Sequence, residues 1–166
     1  DLVRTWSCRA VTAYAQGNHA EYLLAAGEFE KLPHAWHTHN TWFGRCFAMP
    51  FLKWLDGDQD AMTRACAAAR ETFEVEVQSV WYFGRLLSGE IDEAEFDAQP
   101  MKFLREAKKA VALALRAELA GERGIAREHY ARFLQLPRER RIFDQEGEDP
   151  VLDAFVEFRF RVLTVR

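Results

Sequence analysis

Three of the five histidines of this 166-residue chain lie close together, at His34, His37 and His39. Imidazole nitrogens are common zinc ligands, but a metal site needs donors that converge on one point. On a helix, His34 and His37 share a face, whereas His39 lies about 200° away from His37. The segment also lacks an HExxH motif or another spacing typical of metal sites. We therefore predict no metal ligand in this chain.

The segment DGDQDA, 56–61, begins like a calcium-binding loop. The sixth position of such a loop should be Gly and the twelfth Glu, but the chain has Ala61 and Ala67 there. The loop would lack both its sharp turn and its main ligand, so we predict no calcium site. Asp58 or Asp60 is instead expected to cap the following helix.

Two charged segments have residue types that suit acid–base chemistry or docking. EIDEAEFD, 90–97, holds five acidic side chains, but carboxylates act as catalytic acids or bases only in a pocket that shifts their pKa. LPRERR, 136–141, is a small basic patch that can dock on phosphate or on an acidic protein. We predict that the first is an exposed connector and the second a solvated turn. The chain shows no nucleophile elbow, phosphate loop or dinucleotide fingerprint, so we predict no catalytic residue and no cofactor.

Tryptophan is followed closely by arginine three times, in TWSCR, TWFGR and VWYFGR. Guanidinium groups beside aromatic rings suit an acidic ligand or a C-terminal carboxylate. The predicted partner-binding residues are Arg9, Arg45, Arg85, Phe47, Phe51, Trp54 and Phe83. The alternative is that the aromatic rings fill the core while each arginine extends outwards over them. The sequence does not decide whether the aromatic side chains line a groove or the core.

Helices must position these residues, because apolar side chains recur at intervals of three or four along most of the chain. Helices are predicted at about 2–16, 19–32, 38 or 40 to 55, 59–74, 76–88, 100–120, 124–136 and 150–165. Pro50 should kink the third of them. The segment 155–165 also alternates like a strand, but Asp149 and Pro150 form a strong helix start and favour the helix.

Four glycines divide these helices into pairs: Gly17, Gly57, Gly89 and Gly121, at intervals of 40, 32 and 32 residues. Glycine allows the left-handed turn by which many helices end. After Gly121, a small residue, an aromatic residue and a final Pro follow in the segment AGERGIAREHYARFLQLP, 120–137. This spacing resembles a tetratricopeptide repeat, a helix–turn–helix unit of about 34 residues. A second copy is QGNHAEYLLAAGEFEKLP, 16–33, with the small and aromatic positions exchanged.

The resemblance to the tetratricopeptide repeat family extends over most of residues 1–137. It implies an all-α fold of antiparallel helical hairpins stacked as a tetratricopeptide-like solenoid, with a C-terminal capping helix. The first helices of the hairpins, which carry the three arginines, would then line a concave surface. The alternative fold is a helical bundle of different topology. We expect one helical-repeat domain over 1–166, and the start at Asp1 rather than Met is compatible with excision from a longer protein.

Composition restricts the kinds of partner. Residues 1–100 carry 15 acidic and 8 basic side chains, a net charge of −7, whereas residues 101–166 have a net charge of +3. This basic excess is too small for a typical nucleic-acid-binding domain. No apolar run approaches the roughly 20 residues that a membrane span needs, so we expect no membrane partner. Cys8, Cys46 and Cys66 lack CxxC spacing and indicate buried, reduced thiols in the cytoplasm.

These observations lead to three functional hypotheses. The first is a non-enzymatic protein–protein interaction module that binds a peptide or protein surface, with an acidic one favoured, through a groove lined by Arg and aromatic residues. The second is an immunity protein that neutralises a toxin, with the acidic first hundred residues covering a basic active site. The third is a metal-binding or enzymatic helical bundle centred on His34, His37 and His39. The sequence does not indicate the oligomeric state.

Overall fold

The computed structural model describes residues 2–32, 42–73, 78–99, 105–141 and 150–165, and all regular secondary structure within these ranges is helical. The helices are α1 (Leu2–Ala15), α2 (His19–Glu30), α3 (Met49–Leu55), α4 (Ala61–Phe73), α5 (Gln78–Ser88), α6 (Glu93–Asp97), α7 (Arg105–Leu119), α8 (Arg123–Gln135) and α9 (Pro150–Thr164). A π-helical turn at Gly44–Ala48 leads directly into α3, and a short 3-10 turn at Arg138–Arg140 follows α8. The predicted all-α class is confirmed.

Four of the helices end near a glycine with a left-handed backbone. Gly17, Gly57, Gly89 and Gly121 have φ angles of 70°, 110°, 77° and 76°, and they follow α1, α3, α5 and α7. A residue with a Cβ atom is strained in this region, so glycine is the residue that lets the chain reverse direction. The four glycines identified by their spacing in the sequence therefore lie at turns that follow helices.

The helices beside these turns pack against one another. α1 packs on α2, α3 on α4, and α7 on α8. Contacts between α4 and α5 and between α5 and α7 join the successive pairs. Most helices that follow each other in sequence are thus neighbours in space, whereas the first pair contacts α3 and the π-helical turn through α1.

The last helix packs on the first helix as well as on its neighbour in sequence. α9 contacts α8, α1 and the π-helical turn. The rings of Tyr14 in α1 and Phe158 in α9 form an edge-to-face pair with centroids 5.9 Å apart. Seven residues earlier in both helices, Ser7 and Val151 both lie against Gly44. α1 and α9 therefore run side by side in the same direction, and the segment with the strand-like alternation is helical.

Aromatic rings form the centre of the core. Phe43, Phe47 and Phe83 are fully buried, and the ring centroids of Phe47 and Phe83 lie 4.6 Å apart. The Trp42 ring lies 5.4 Å from Phe83, and the Phe155 ring of α9 lies 5.5 Å from Phe43. Edge-to-face and tilted ring pairs of this kind add to the stabilisation from burial alone. They join α5 and α9 to the segment around the π-helical turn.

The helix that contains Pro50 is irregular, because a π-helical turn precedes the proline. Pro50 has no N–H to donate to the carbonyl of Cys46, four residues earlier. Directly before it, the Met49 N–H donates to the carbonyl of Gly44, five residues back. This is the hydrogen-bond pattern of a π turn. The helix then continues to Leu55.

The acidic segment at 90–97 contains a short helix instead of the predicted connector. The Glu95 N–H donates to Asp92 Oδ1 at 2.8 Å, and the Asp92 N–H donates to Glu95 Oε2 at 3.0 Å. This reciprocal capping box begins α6, and the fully buried side chain of Phe96 fixes α6 to the core. The carboxylates themselves are exposed, as predicted.

Two further surface predictions concern the loops. The basic segment at 136–141 is a largely exposed turn, as predicted. Asp58, one of two predicted caps of α4, forms an ion pair with Arg64 of that helix. The hydrogen bond from Arg64 lowers the pKa of Asp58.

Candidate functional site

The three arginines of the predicted partner-binding set all lie over aromatic rings, and two of them stack on their own tryptophan. The Arg9 guanidinium is 5.1 Å from the centre of the Trp6 ring, and the Arg85 guanidinium is 4.6 Å from that of Trp81. Cation–π contacts at partly exposed sites are worth roughly 0.5–1 kcal/mol. Arg9 and Arg85 therefore extend over the rings of Trp6 and Trp81, as in the second of the two interpretations of the sequence.

Each of these two arginines also has a carboxylate partner. Arg9 forms an ion pair with Glu21 of α2, and its side chain is 48 % exposed. The Nε atom of Arg85 lies 3.5 Å from Glu90 Oε2, at the turn between α5 and α6. An acidic ligand would have to displace these intramolecular carboxylates.

Arg45 contacts a different helix. Its guanidinium lies 5.3 Å from the centre of the Phe29 ring in α2, and burial lowers the pKa of Arg45. Arg9 and Arg45 therefore both lie against α2, whereas Arg85 lies at the start of the acidic segment. The three arginines are divided between two regions of the molecule.

Most aromatic members of the predicted set are core residues. Phe47, Phe51 and Phe83 have no exposed surface. Trp54 is half-buried, and its ring centroid lies 5.1 Å from that of Phe51. The three phenylalanines therefore belong to the core and not to a groove. Each is surrounded by other aromatic rings: Phe47 and Phe83 contact each other, and Phe51 contacts Trp54 and Phe155. A partner can reach the arginines and the exposed part of Trp54.

An open cleft lies between α6, α7 and α8. Its volume is about 480 Å³, a size that suits the side chains of a ligand or peptide. The lining residues are Asp92, Glu93 and Ala94 at α6, Leu113, Arg116 and Ala117 of α7, and Glu122, Ile125 and His129 of α8. Ile125 is 48 % exposed, although it is a large apolar residue.

Two local features shape the α6 wall of the cleft. The capping box starts α6 at Glu93 and so holds Asp92 and Glu93 beside the cleft. At the preceding turn, a Cβ atom on Gly89 would lie only 3.4 Å from the guanidinium carbon of Arg116. The absence of a side chain at Gly89 therefore lets Arg116 of α7 approach this wall.

The polar groups of the cleft include a neutral imidazole. Burial is the main cause that lowers the pKa of His129, Arg132 lowers it further, and Glu93 and Glu128 oppose the shift. The imidazole is therefore neutral at pH 7. Its Nδ1 atom is buried and has no hydrogen-bond partner within the described part of the chain. Lys109 Nζ lies 4.0 Å from Glu93 Oε2 and partly offsets the charge of that carboxylate.

The cleft has groups suited to the recognition of a ligand. Among the described residues that line it, none is Ser, Thr, Cys, Tyr or Lys. Leu113 and Ile125 offer apolar contact, Glu93 and Glu122 accept hydrogen bonds, and Arg116 donates them. This arrangement suits non-covalent binding of a side chain or a short segment.

A second polar feature is a buried cluster that joins α7, α8 and α9. Arg159 donates from Nε to Glu118 Oε1 at 3.0 Å and from Nη2 to Glu118 Oε2. The Tyr130 hydroxyl donates to Glu118 Oε1 at 2.9 Å. Burial, and then the Glu118 carboxylate, raise the pKa of Tyr130 well above its usual range. Since the three side chains bind one another away from solvent, we assign the cluster to fold stability.

Neither feature was visible in the sequence. The cleft is built from three segments, and Glu118 and Arg159 are 41 residues apart. One signal was available for the cleft, because Asp92 and Glu95 have the spacing of a capping box and could have indicated a helix in the acidic segment.

The histidine hypothesis concerns a segment outside the described residues, since His34, His37 and His39 all fall within 33–41. In the parts of the chain that the structure describes, no three His, Cys, Asp or Glu side chains are placed to hold a metal ion. Cys46 is buried, and burial raises the pKa of its thiol to about 12.

Comparison with known proteins does not assign the chain to a family. No protein-family model, curated protein or solved structure matches it. None of the described helices has both the length and the apolar character needed to cross a membrane. The functional interpretation therefore depends on the surface features described above.

Proposed function

We propose that this protein is a non-enzymatic protein–protein interaction module that binds a peptide or protein surface in the cleft between α6, α7 and α8. The observation that carries the proposal is the cleft, which combines the exposed Ile125 with carboxylates, Arg116 and the neutral His129. Protein interfaces combine apolar and polar groups in this way.

The chemistry of the lining favours a partner segment that has an apolar residue next to a basic one. The described lining carries three carboxylates and one guanidinium. Leu113 and Ile125 would contact the apolar residue, and Glu93 and Glu122 would pair with the basic one. Charge complementarity of this kind gives specificity and speeds association.

The acidic partner favoured by the sequence remains the second possibility for this module. It would bind at Arg9 and Arg85, whose guanidinium groups lie over Trp6 and Trp81. The carboxylates already paired with both arginines make this the less favoured of the two surfaces.

We also propose that the helices form a tetratricopeptide-like stack of hairpins and that the protein is located in the cytoplasm. The glycine turns and the packing of successive hairpins support the stack. In an open solenoid each repeat contacts only its neighbours, so the contact between α1 and α9 would make this a closed variant. The free thiols of Cys8, Cys46 and Cys66 agree with a reducing compartment.

Ile125→Asp should weaken partner binding at least about tenfold, because a charge at the centre of an apolar contact removes an anchor. The partner is identified by mass spectrometry of what the native protein co-purifies with. The Kd of the purified pair is then measured by isothermal titration calorimetry. Val162→Asp, a change at another exposed apolar residue, in α9, is the matched control and should bind like the wild type.

An unchanged Kd for Ile125→Asp, with unchanged circular dichroism, would exclude the cleft as the binding site. If Arg9→Glu or Arg85→Glu abolished binding instead, the site would lie at the Trp–Arg pairs.

A further inference from the structure

α2 is apolar on the face that packs on α1 and also on the face turned to solvent. The buried residues are Tyr22, Ala25, Ala26 and Phe29. At 100° per residue, the opposite side of the helix carries Ala20, Leu23, Leu24 and Gly27, which we call the α2 outer face. Leu23 and Leu24 are 52 % and 51 % exposed. These two leucines give the α2 outer face an exposed apolar surface, which Glu21 and Glu28 flank on one side and Glu30 on the other.

Gly27 is the second unusual feature of this helix. Glycine inside a helix is destabilising relative to alanine, so its presence needs a reason. At Gly44 the reason is visible, because a Cβ atom there would lie 2.9 Å from Ser7 Oγ. At Gly27 no atom of the described residues lies within 4 Å of the Cβ position, so no contact among them requires glycine there. A glycine on an exposed apolar face is explained if another helix approaches closely at that point.

We propose that the α2 outer face pairs with the α2 outer face of a second copy of this chain, with the two helices antiparallel across a twofold axis. The face has a large residue and a gap three positions apart, at Leu24 and Gly27. A twofold axis near the middle of the helix sets Leu24 of each copy on Gly27 of the other. Such a self-complementary pairing is what an interface with twofold symmetry requires.

The charges beside the α2 outer face favour a second copy over a strongly charged partner. Glu21 pairs with Arg9, Glu28 with Lys31, and Glu30 with Lys53. His19 Nδ1 lies 3.8 Å from Asp56 Oδ1. Because Glu21, Glu28 and Glu30 are each paired within the chain, repulsion between two copies is reduced at this face, and a basic or acidic partner gains little attraction there.

The size of the surface predicts a weak dimer. α2 has 12 residues and is about 18 Å long, so a single helix pair gives an interface at the small end of the known range. We therefore expect a Kd of about 10 μM to 1 mM.

Sedimentation equilibrium of the full chain from about 10 μM to 1 mM tests the proposal. The wild type should shift from monomer towards dimer, and Leu24→Glu should stay monomeric at all concentrations. Gly27→Ala should weaken dimerisation about tenfold while it raises the thermal stability of the monomer, because alanine favours the helix and blocks close approach. Gly124→Ala in α8 is the matched control, since none of the described atoms lies within 4 Å of that Cβ position either, and it should leave the Kd unchanged.

A wild-type protein that remains monomeric at about 1 mM would overturn the proposal. So would a Leu24→Glu variant that still dimerises with unchanged circular dichroism. A monomeric protein that loses partner binding on Leu24→Glu would assign the α2 outer face to that partner instead. These outcomes do not depend on Ile125 and leave the proposal for the cleft separately testable.

Discussion

At the residue scale, the glycines of the two Phe-Gly-Arg segments, Gly44 and Gly84, have different structural roles. A Cβ atom on Gly44 would lie 2.9 Å from Oγ and 3.2 Å from Cβ of the buried Ser7. A Cβ atom on Gly84 would lie 3.8 Å from Ala69 Cβ and 3.9 Å from the Phe47 ring, which are ordinary van der Waals contacts. Glycine is therefore required where α1 meets the π-helical turn and is not required in α5.

Gly44→Ala should lower the free energy of unfolding by about 1–3 kcal/mol, because the added methyl group overpacks the contact with α1. Gly84→Ala should leave it unchanged or raise it by up to about 1 kcal/mol, since alanine is the better helix former and has room. Urea denaturation of both variants measures the difference. Equal stabilities would show that Ser7 moves aside at no cost.

Lys108 is the residue whose burial should be visible in the pH dependence of stability. It is 2 % exposed, and burial lowers its pKa to about 8 from the ordinary value of 10.5. Between these two pH values the unfolded chain binds more protons than the folded one, so this group makes stability rise with pH.

The free energy of unfolding of the wild type, relative to Lys108→Met, should therefore increase by about 1–3 kcal/mol between pH 8 and pH 10. Methionine keeps the length of the side chain and removes the charge. Denaturation at several pH values measures both curves. Parallel curves over this interval would show that Lys108 has no lowered pKa in the folded protein.

At the scale of the helices, α7 and α9 are linked by the charged pair of Glu118 and Arg159. Arg159→Met should cost about 3–5 kcal/mol, because it leaves a buried carboxylate without its cation. Adding Glu118→Gln should recover about 1–3 kcal/mol, since the amide is uncharged and still accepts from Tyr130.

Thermal or urea unfolding of the single and double variants measures this recovery. A double variant no more stable than Arg159→Met would mean that the pair contributes through packing and not through charge.

With the exception of α6, the sequence predicted the described helices and their turns, because both depend on neighbouring residues. Apolar spacing fixed the approximate limits of the helices, and Gly17, Gly57, Gly89 and Gly121 are the left-handed turns expected from their positions. The candidate site depends on residues distant in sequence, so periodicity carried no signal for it. The same limit applies to the phenylalanines, since a groove and a core need the same residue types at the same spacing.

At the scale of the whole molecule, the proposed functions occupy different surfaces. The cleft lies among α6, α7 and α8, and the α2 outer face belongs to the first hairpin. A dimer formed through α2 would present two clefts to a partner, and linked sites of this kind raise apparent affinity. The immunity hypothesis stays a prediction, supported by the net charge of −7 over residues 1–100.

The packing of α9 on α1 and the π-helical turn also has a consequence during synthesis. Ribosomes add about 5–20 residues per second, so α1 and Phe43 emerge roughly 5–30 seconds before the helix that covers them. During that interval the nascent chain exposes part of its aromatic core. The early hairpins are therefore the expected clients of chaperones that bind apolar nascent segments, until α9 has left the ribosome.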